Sequence, residues 1–341
     1  MISVEKFSDS SDGYMSWIDT AKRLGLYLVI LGHLWYYSNF PVINKAIYSF
    51  HMPLFFIMSG LVIKGTSNRV PITEYIKKHT LRLLLPSCFF VIMFLPVYFV
   101  REGRFDIIEF MKRIFFWNGL LPYNDPCWFF IVLYEVKILE RVMDLASKEM
   151  RVKFITCVIS FVMGFIVYQF KIFIPFGLDR GLIAFGYLVF GMLTKDVCFC
   201  KVNDRLKVVY SFFVFPVWCI SGIWLNCKVS MYSFELGNYW LFILSGICGS
   251  FLFIVFCQRV DKRTARFRRN SENTIFIIGT HYICVTIFVK VTGYVGIHYT
   301  WMYSVGAIIY ALVLVYCYMK FVCRFVNKYV PLLNGMRKNY L

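Results

Sequence analysis

The chain has 341 residues, of which 59% are hydrophobic, 20% aromatic and only 16% charged, and its mean hydropathy is +0.64. Soluble domains carry about 25% charged and about 45–50% apolar residues, so this composition excludes a water-soluble globule, a disordered chain and a disulfide-stapled miniprotein. The formal charge of +18 comes from 37 Lys and Arg against 19 Asp and Glu; they fall between apolar runs, which points to membrane topology and anionic headgroups, not to nucleic acid.

In chain order, ten apolar segments appear at 22–38, 46–63, 83–100, 127–140, 154–170, 181–194, 208–226, 239–257, 273–292 and 301–322. A crossing needs about 20 apolar residues, so the shorter segments require tilt or amphipathic extensions. With the N-terminus inside, the cytoplasmic segments hold 27 Lys and Arg and the outer segments nine. This positive-inside split predicts an all-α polytopic protein of about ten transmembrane helices, with both termini cytoplasmic. Residues 1–341 then form a single membrane-embedded domain, with 1–21 as a cytoplasmic segment and 323–341 as a basic cytoplasmic tail. The polar start lacks a small-residue cleavage site, so no cleavable leader is expected, and only the basic tail follows the tenth segment, so no appended extracytoplasmic domain is expected.

Most of the twelve cysteines lie inside apolar runs, and no disulfide framework is expected. Cys127 and Cys227 alone fall near outer loops, whereas Cys198 and Cys200 belong on the reducing side. The densest basic run is inside, at 258–272. In the longest outer loop, 101–126, the stretch Phe105–Phe116 mixes charges with apolar residues at helical spacing and predicts an amphipathic interfacial helix. No internal repeat of the inverted-transporter kind is visible.

Ionisable side chains at membrane depth are costly and mark functional sites. His33 lies eleven residues after Lys22, hence about 16 Å along a helix at 1.5 Å per residue, near mid-bilayer, with Gly32 leaving room beside it. His51 falls near the outer third of the second segment. His281 lies roughly 12 Å below the cytoplasmic end of the ninth segment by the same rise. Each His either bonds to a neighbouring helix or does chemistry, and two at comparable depth favour chemistry for His33. Imidazole suits general-base work because its ordinary pKa of about 6.5 lies near operating pH. Spacings that signal a metal site, such as HExxH, are missing. Glu135 is the acid set well inside a segment; it orients a His or a hydroxyl, or pairs with Lys137 or Lys78. At the cytoplasmic rim, Lys22 and Arg23 open the first helix, and Lys77, Lys78 and Arg82 precede the third. Lys78 and Arg82, four apart, share a helical face and suit phosphate, although lipid anchoring accounts for such residues as well. Pro53, Ser59-Gly60, Pro86, Pro96 and Gly186/Gly191 mark breaks or close packing.

Four stretches resemble the membrane acyltransferase-3 family. WIDTAKRLGLYLVILGH is similar to the family's first helix, in which a basic residue, here Lys22 or its neighbour Arg23, is followed by ten others and a His, here His33. FHMPLFFIMSGLVIK resembles the second helix, with His51, Pro53 and Ser59-Gly60. YIKKHTLRLLLP resembles the basic lead into the third, with Arg82 and Pro86, and NSENTIFIIGTHYICV the late helix that supplies His281. Trp128, in PCWFF, fits the remainder. The resemblance implies a bacterial inner-membrane O-acyltransferase, most directly an O-acetyltransferase, moving an acyl group from cytoplasmic acetyl-CoA or another acyl-CoA to a sugar hydroxyl of a surface polysaccharide or lipid-linked glycan. Donor phosphates are expected at Lys22, Arg23, Lys78 and Arg82, and the acceptor near His51, Ser59 and Trp128. His33 is expected as general base or transient acyl carrier, with His281 or Glu135 holding its tautomer. No tightly bound cofactor and no metal is implied; membrane lipids are the surrounding partner. The competing class is a flippase or exporter of lipid-linked sugars with buried His as a proton relay, which leaves the basic-x10-His pattern unexplained.

Overall fold

The computed structural model describes residues 16–63, 71–103, 106–115, 124–195, 203–263 and 274–334, and among these the one β-type pairing is an isolated bridge between Ser230 and Glu235. Helix α1 (Ser16–Leu34) continues into a 3-10 turn at Trp35–Tyr37. It starts ahead of the apolar run because Ile18 and Ala21 are already buried. Ser16 and Thr20 there donate to the Asp261 carboxylate from far along the chain.

The second apolar run is two helices, α2 (Pro41–Tyr48) and α3 (His51–Leu61). The break falls at Phe50, whose φ of −142° leaves the helical range, and the Ser49 hydroxyl satisfies the Ala46 carbonyl at 2.7 Å. His51 therefore opens α3 instead of lying part-way along one continuous helix. Pro53 sits in the first turn, where its missing N–H costs no intrahelical bond. Only Met52 and Ser59 of α3 escape full burial, which explains why the helix is apolar all round.

The third span begins earlier than its apolar run, with α4 (Ile72–His79), a π-turn at Thr80–Leu84 and α5 (Leu85–Glu102). Pro86 accounts for the widened turn: it cannot donate to the Arg82 carbonyl and its ring crowds it. Helix α6 (Ile107–Phe115) is the expected amphipathic segment, with Phe110 buried and Ile107, Ile108 and Met111 exposed.

Helix α7 (Trp128–Ala146) runs beyond its apolar run. Its charged last turns find partners: the Tyr75 hydroxyl donates to Glu140 at 2.9 Å, and Arg141 pairs with Asp144 at 3.4 Å. There follow α8 (Met150–Gln169), α9 (Leu178–Thr194) and α10 (Asp204–Cys219), the last ending in a π-turn at Ile220–Trp224 just past Pro216. The bundle closes with α11 (Tyr239–Arg263), α12 (Thr274–Tyr294), α13 (Trp301–Cys317), a π-turn and α14 (Cys323–Tyr329).

Among the described residues, seven helical stretches are long and apolar enough to cross a membrane. Of the ten anticipated segments, α1 and α7 fall outside that group through their charges and α3 through its length. The protein is a multi-pass membrane protein. Phe154 and Ile155 on α8, Phe212 and Phe213 on α10, and Ile309 and Leu312 on α13 are exposed, an arrangement that suits lipid and not water.

The interior is organised on α3 and α9. A Cβ at Gly60 would strike the Leu188 carbonyl, and one at Gly191 the Ile57 carbonyl, so the two helices cross backbone to backbone, as small residues permit. The ten described cysteines are free; Cys127 is buried and Cys227 exposed, without a bridge between them. Cys198, Cys200, residues 264–272 of the basic run and 335–341 of the tail lie outside the described residues.

Candidate active site

Elements distant in sequence converge beside the end of α1. His33, in its last turn, faces two rings of α12: the centroid of His281 is 5.5 Å away, and that of Tyr282 is 5.4 Å away in an edge-on contact. His281 is fully buried. Its Nδ1 lies 2.9 and 3.0 Å from the carbonyl oxygens of Ile277 and Ile278, so Nδ1 carries the proton and donates. The other nitrogen, Nε2, keeps its lone pair and is buried without a hydrogen-bond partner. His33, by contrast, is partly accessible, and it borders a cavity of about 150 Å³ shared with Tyr48, His51, Asp125, Trp128 and Tyr232.

Each wall has a local cause. Gly32 lets α2 approach α1: a Cβ there would lie 3.1 Å from the Tyr48 ring, and the Gly32 carbonyl accepts from Asn44 Nδ2 at 3.1 Å. His51 is oriented by donation from Nδ1 to the Ile47 carbonyl at 2.9 Å and by an edge contact with Tyr48 at 4.9 Å. Asp125 opens the short 3-10 turn that leads into α7. Its carboxylate accepts from the Tyr232 hydroxyl at 2.7 Å and from the Tyr282 hydroxyl at 3.3 Å, which joins α7, α12 and the loop between α10 and α11.

That loop, residues 225–238, covers the cavity. Arg180 pins it by donating from Nε to the carbonyls of Met231 at 3.1 Å and Tyr232 at 2.9 Å. Asp179 neutralises the buried guanidinium at 2.8 Å, as a charge removed from water requires. Burial, reinforced by the Asp125 carboxylate, holds the Tyr232 hydroxyl above the ordinary tyrosine range, so it remains a donor. At the edge of the loop, burial lowers the Lys228 ammonium from its ordinary value, with Glu235 opposing.

Of the sequence candidates, His33, His51, His281 and Trp128 meet at this cavity or, for His281, directly behind His33. Glu135 does not border it. Both of its carboxylate oxygens are buried without a hydrogen-bond partner, and Oε2 would lie 3.2 Å from a Cβ at Gly181. Neither Lys137 nor Lys78 hydrogen-bonds to it; Lys137 instead donates to the Ser59 carbonyl at 3.3 Å. Ser59 lies eight residues from His51, about 12 Å along α3, and does not line the cavity. The basic set stands at the opposite end of the bundle. Lys22 pairs with Asp19 at 3.8 Å, and Lys78 and Arg82 are exposed. The continuous helix from Ser16 to Leu34 sets Lys22 and His33 about 16 Å apart.

Residues 15–320 match the acyltransferase-3 family model, described as an acyltransferase domain. The chain belongs to the acyltransferase-3 family. The cavity at His33 is its candidate active site. Over an alignment of 79 residues the chain is 37% identical to the nodulation protein NolL of Mesorhizobium japonicum (strain LMG 29417 / CECT 9101 / MAFF 303099), which covers 21% of this chain and 21% of that protein. The match thus spans about a fifth of the length of that curated relative. No solved structure matches the chain. Four residues of this site were not singled out from sequence: Tyr48, Asp125, Tyr232 and Tyr282. Asp125 had one available signal, its place just before Pro126 and Trp128, and Tyr282 had its adjacency to His281; Tyr232 had none.

Proposed function

We propose that this chain is a membrane O-acyltransferase, most directly an O-acetyltransferase, of the bacterial cytoplasmic membrane. It takes its acyl group from acyl-CoA on the cytoplasmic side and delivers it to a sugar hydroxyl of a surface polysaccharide or lipid-linked glycan. The ten-span topology with both termini inside belongs to this reading and rests on the 27-to-nine distribution of Lys and Arg. It sets Lys22, Arg23, Lys78 and Arg82 on the donor side and the 225–238 loop on the acceptor side.

The observation that carries the reading is the position of His33: partly accessible in a cavity, about 16 Å from the basic rim, with the His281 and Tyr282 rings at its back. The donor phosphates meet the basic rim, and the pantetheine arm reaches in between apolar helices to present the thioester at the His33 ring. His33 takes the proton of the sugar hydroxyl as the oxygen attacks the thioester carbonyl. The C–S bond then breaks and His33 returns the proton to the departing thiolate. In the second route His33 itself attacks the thioester carbonyl and the C–S bond breaks to release the CoA thiolate; the sugar hydroxyl then attacks the acyl-imidazole, the C–N bond breaks, and the hydroxyl proton passes to the thiolate. In either route His33 turns an N–H toward His281 Nε2, which has no hydrogen-bond partner in the resting structure; that bond fixes the tautomer and leaves the other ring nitrogen as the reacting atom. Asp125 holds Tyr232 and Tyr282 against the cavity, and the loop above excludes water that would hydrolyse the thioester.

The test is mass spectrometry of surface glycan from cells with and without the chain, supplied with isotopically labelled acetate. Labelled O-acetyl groups present only with the chain support the reading. Identical glycans from both cells, with the protein inserted at normal levels, remove it.

A further inference from the structure

Lys228 lies on the 225–238 loop, which lines the cavity through Ser230, Met231 and Tyr232, and is itself exposed. Its Nζ is 4.1 Å from the centroid of the Tyr36 ring and 5.5 Å from that of the Tyr48 ring. Two separate elements supply the rings. Tyr36 belongs to the 3-10 turn that follows α1, and Tyr48 ends α2 and is itself a cavity wall. Both rings are braced: Tyr36 packs edge-on to Tyr37 at 5.1 Å, Tyr37 stacks on His298 at 4.6 Å, and Tyr48 packs against His51.

The charge of this lysine is oriented but not neutralised. Among the described residues no carboxylate lies within salt-bridge distance of Nζ. Glu235, the acid that acts on it from a distance, accepts from the Ser233 hydroxyl at 3.3 Å. Aromatic faces attract an ammonium through the ring quadrupole and leave its N–H groups unspent. Lys228 also lies within Coulombic range of His33. It is the one basic residue of segment 227–238, so it does not belong to a general basic fringe. The adjoining cavity offers aromatic faces together with the Asp125 carboxylate and tyrosine hydroxyls, groups that suit a neutral sugar ring without help from a cation.

We propose that Lys228, held over Tyr36 and Tyr48, forms an anion subsite at the cavity mouth that selects saccharide acceptors bearing a carboxylate or phosphate group. This rests on the reading of the cavity as a sugar-acceptor site. Lys228 thereby determines specificity and takes no part in bond making.

The test measures binding directly, with the purified full chain in nanodiscs and three oligosaccharides: a trigalacturonate, its carboxyl-reduced neutral counterpart, and a phosphate-bearing trisaccharide. Wild type is expected to bind at least one anionic probe about tenfold or more tighter than the neutral one, a difference of about 1.4 kcal/mol. The preference should shrink as salt rises, vanish in Lys228→Met and return in Lys228→Arg, while neutral-probe affinity stays unchanged. The anionic probe that is preferred identifies the group recognised. Equal affinity for charged and neutral probes in wild type overturns the proposal, as does failure of both anionic probes to bind. An equal loss for charged and neutral probes in Lys228→Met also overturns it, because Lys228 would then only hold the loop. Charge-selective binding without any acyl transfer removes the proposed activity and leaves the subsite. Acyl transfer to saccharides without charge preference does the reverse.

Discussion

His33 and His281 come from opposite ends of the chain and face each other with ring centroids 5.5 Å apart, one bordering a cavity and the other sealed behind it. The sealed ring has committed its Nδ1 proton to backbone carbonyls, so its free Nε2 can only accept. In the proposed mechanism His281 orients its neighbour and His33 does the chemistry.

His281→Gln and His281→Asn separate these roles. A Gln side chain places an acceptor near the position of Nε2, whereas Asn reaches only the Nδ1 position. If His281 orients His33 through Nε2, Gln retains more turnover than Asn at equal protein level. Assays of both purified variants check this, and better activity in Asn contradicts it.

Asp125→Ala removes the acceptor of two tyrosine hydroxyls at once. Hydrogen bonds to a charged group contribute about 1.5–3 kcal/mol each, and the Tyr282 bond, longer at 3.3 Å, lies at the weak end. The expected outcome is a lower unfolding temperature with reduced turnover. Faster hydrogen exchange confined to residues near 231–235 would locate the damage in the covering loop.

Arg82→Ala should raise the KM for acyl-CoA roughly tenfold, about 1.4 kcal/mol. The figure is modest because Arg82 is exposed and water and salt weaken such contacts. A dephosphorylated donor should lose little from the same change; equal losses for both donors would argue against phosphate recognition at Arg82.

The Tyr232 hydroxyl, raised by burial and by Asp125, should stay protonated through the ordinary tyrosine range near pH 10. Its folded value lies above its unfolded one, so its stabilising effect is complete below about pH 10 and is lost as pH rises through the folded value. Tyrosinate absorbance titrated in wild type and in Tyr232→Phe should therefore coincide up to that range. A difference appearing below it contradicts the assignment.

Gly191→Ala should destabilise the bundle by about 3 kcal/mol or more, the upper end for overpacking. The added carbon meets the Ile57 backbone, which cannot turn aside as a side chain would. Thermal unfolding in detergent measures this directly.

The positions of His33 and His281 along α1 and α12 were legible in the sequence because helical rise converts distance from a basic rim into distance along a helix. Such a distance says nothing about direction around the helix. Glu135 lies well inside its segment and points to Gly181 instead, and Ser59 lies on the helix of His51 but too far along it. The break at Phe50 leaves no trace in hydropathy, since the apolar run passes through it unbroken. Asp125 escaped notice because an acid in a loop costs little to solvate; its importance arises from two tyrosines that only the fold brings to it.

The most direct test of the central claim is transfer of labelled acetyl from acetyl-CoA to an oligosaccharide by purified wild type and His33→Ala in nanodiscs. Loss of the reacting imidazole predicts a fall in turnover of roughly 10²–10⁴-fold, the range for general acid–base catalysis, with folding and donor binding retained. A correctly folded His33→Ala protein that turns over at the wild-type rate would contradict the account.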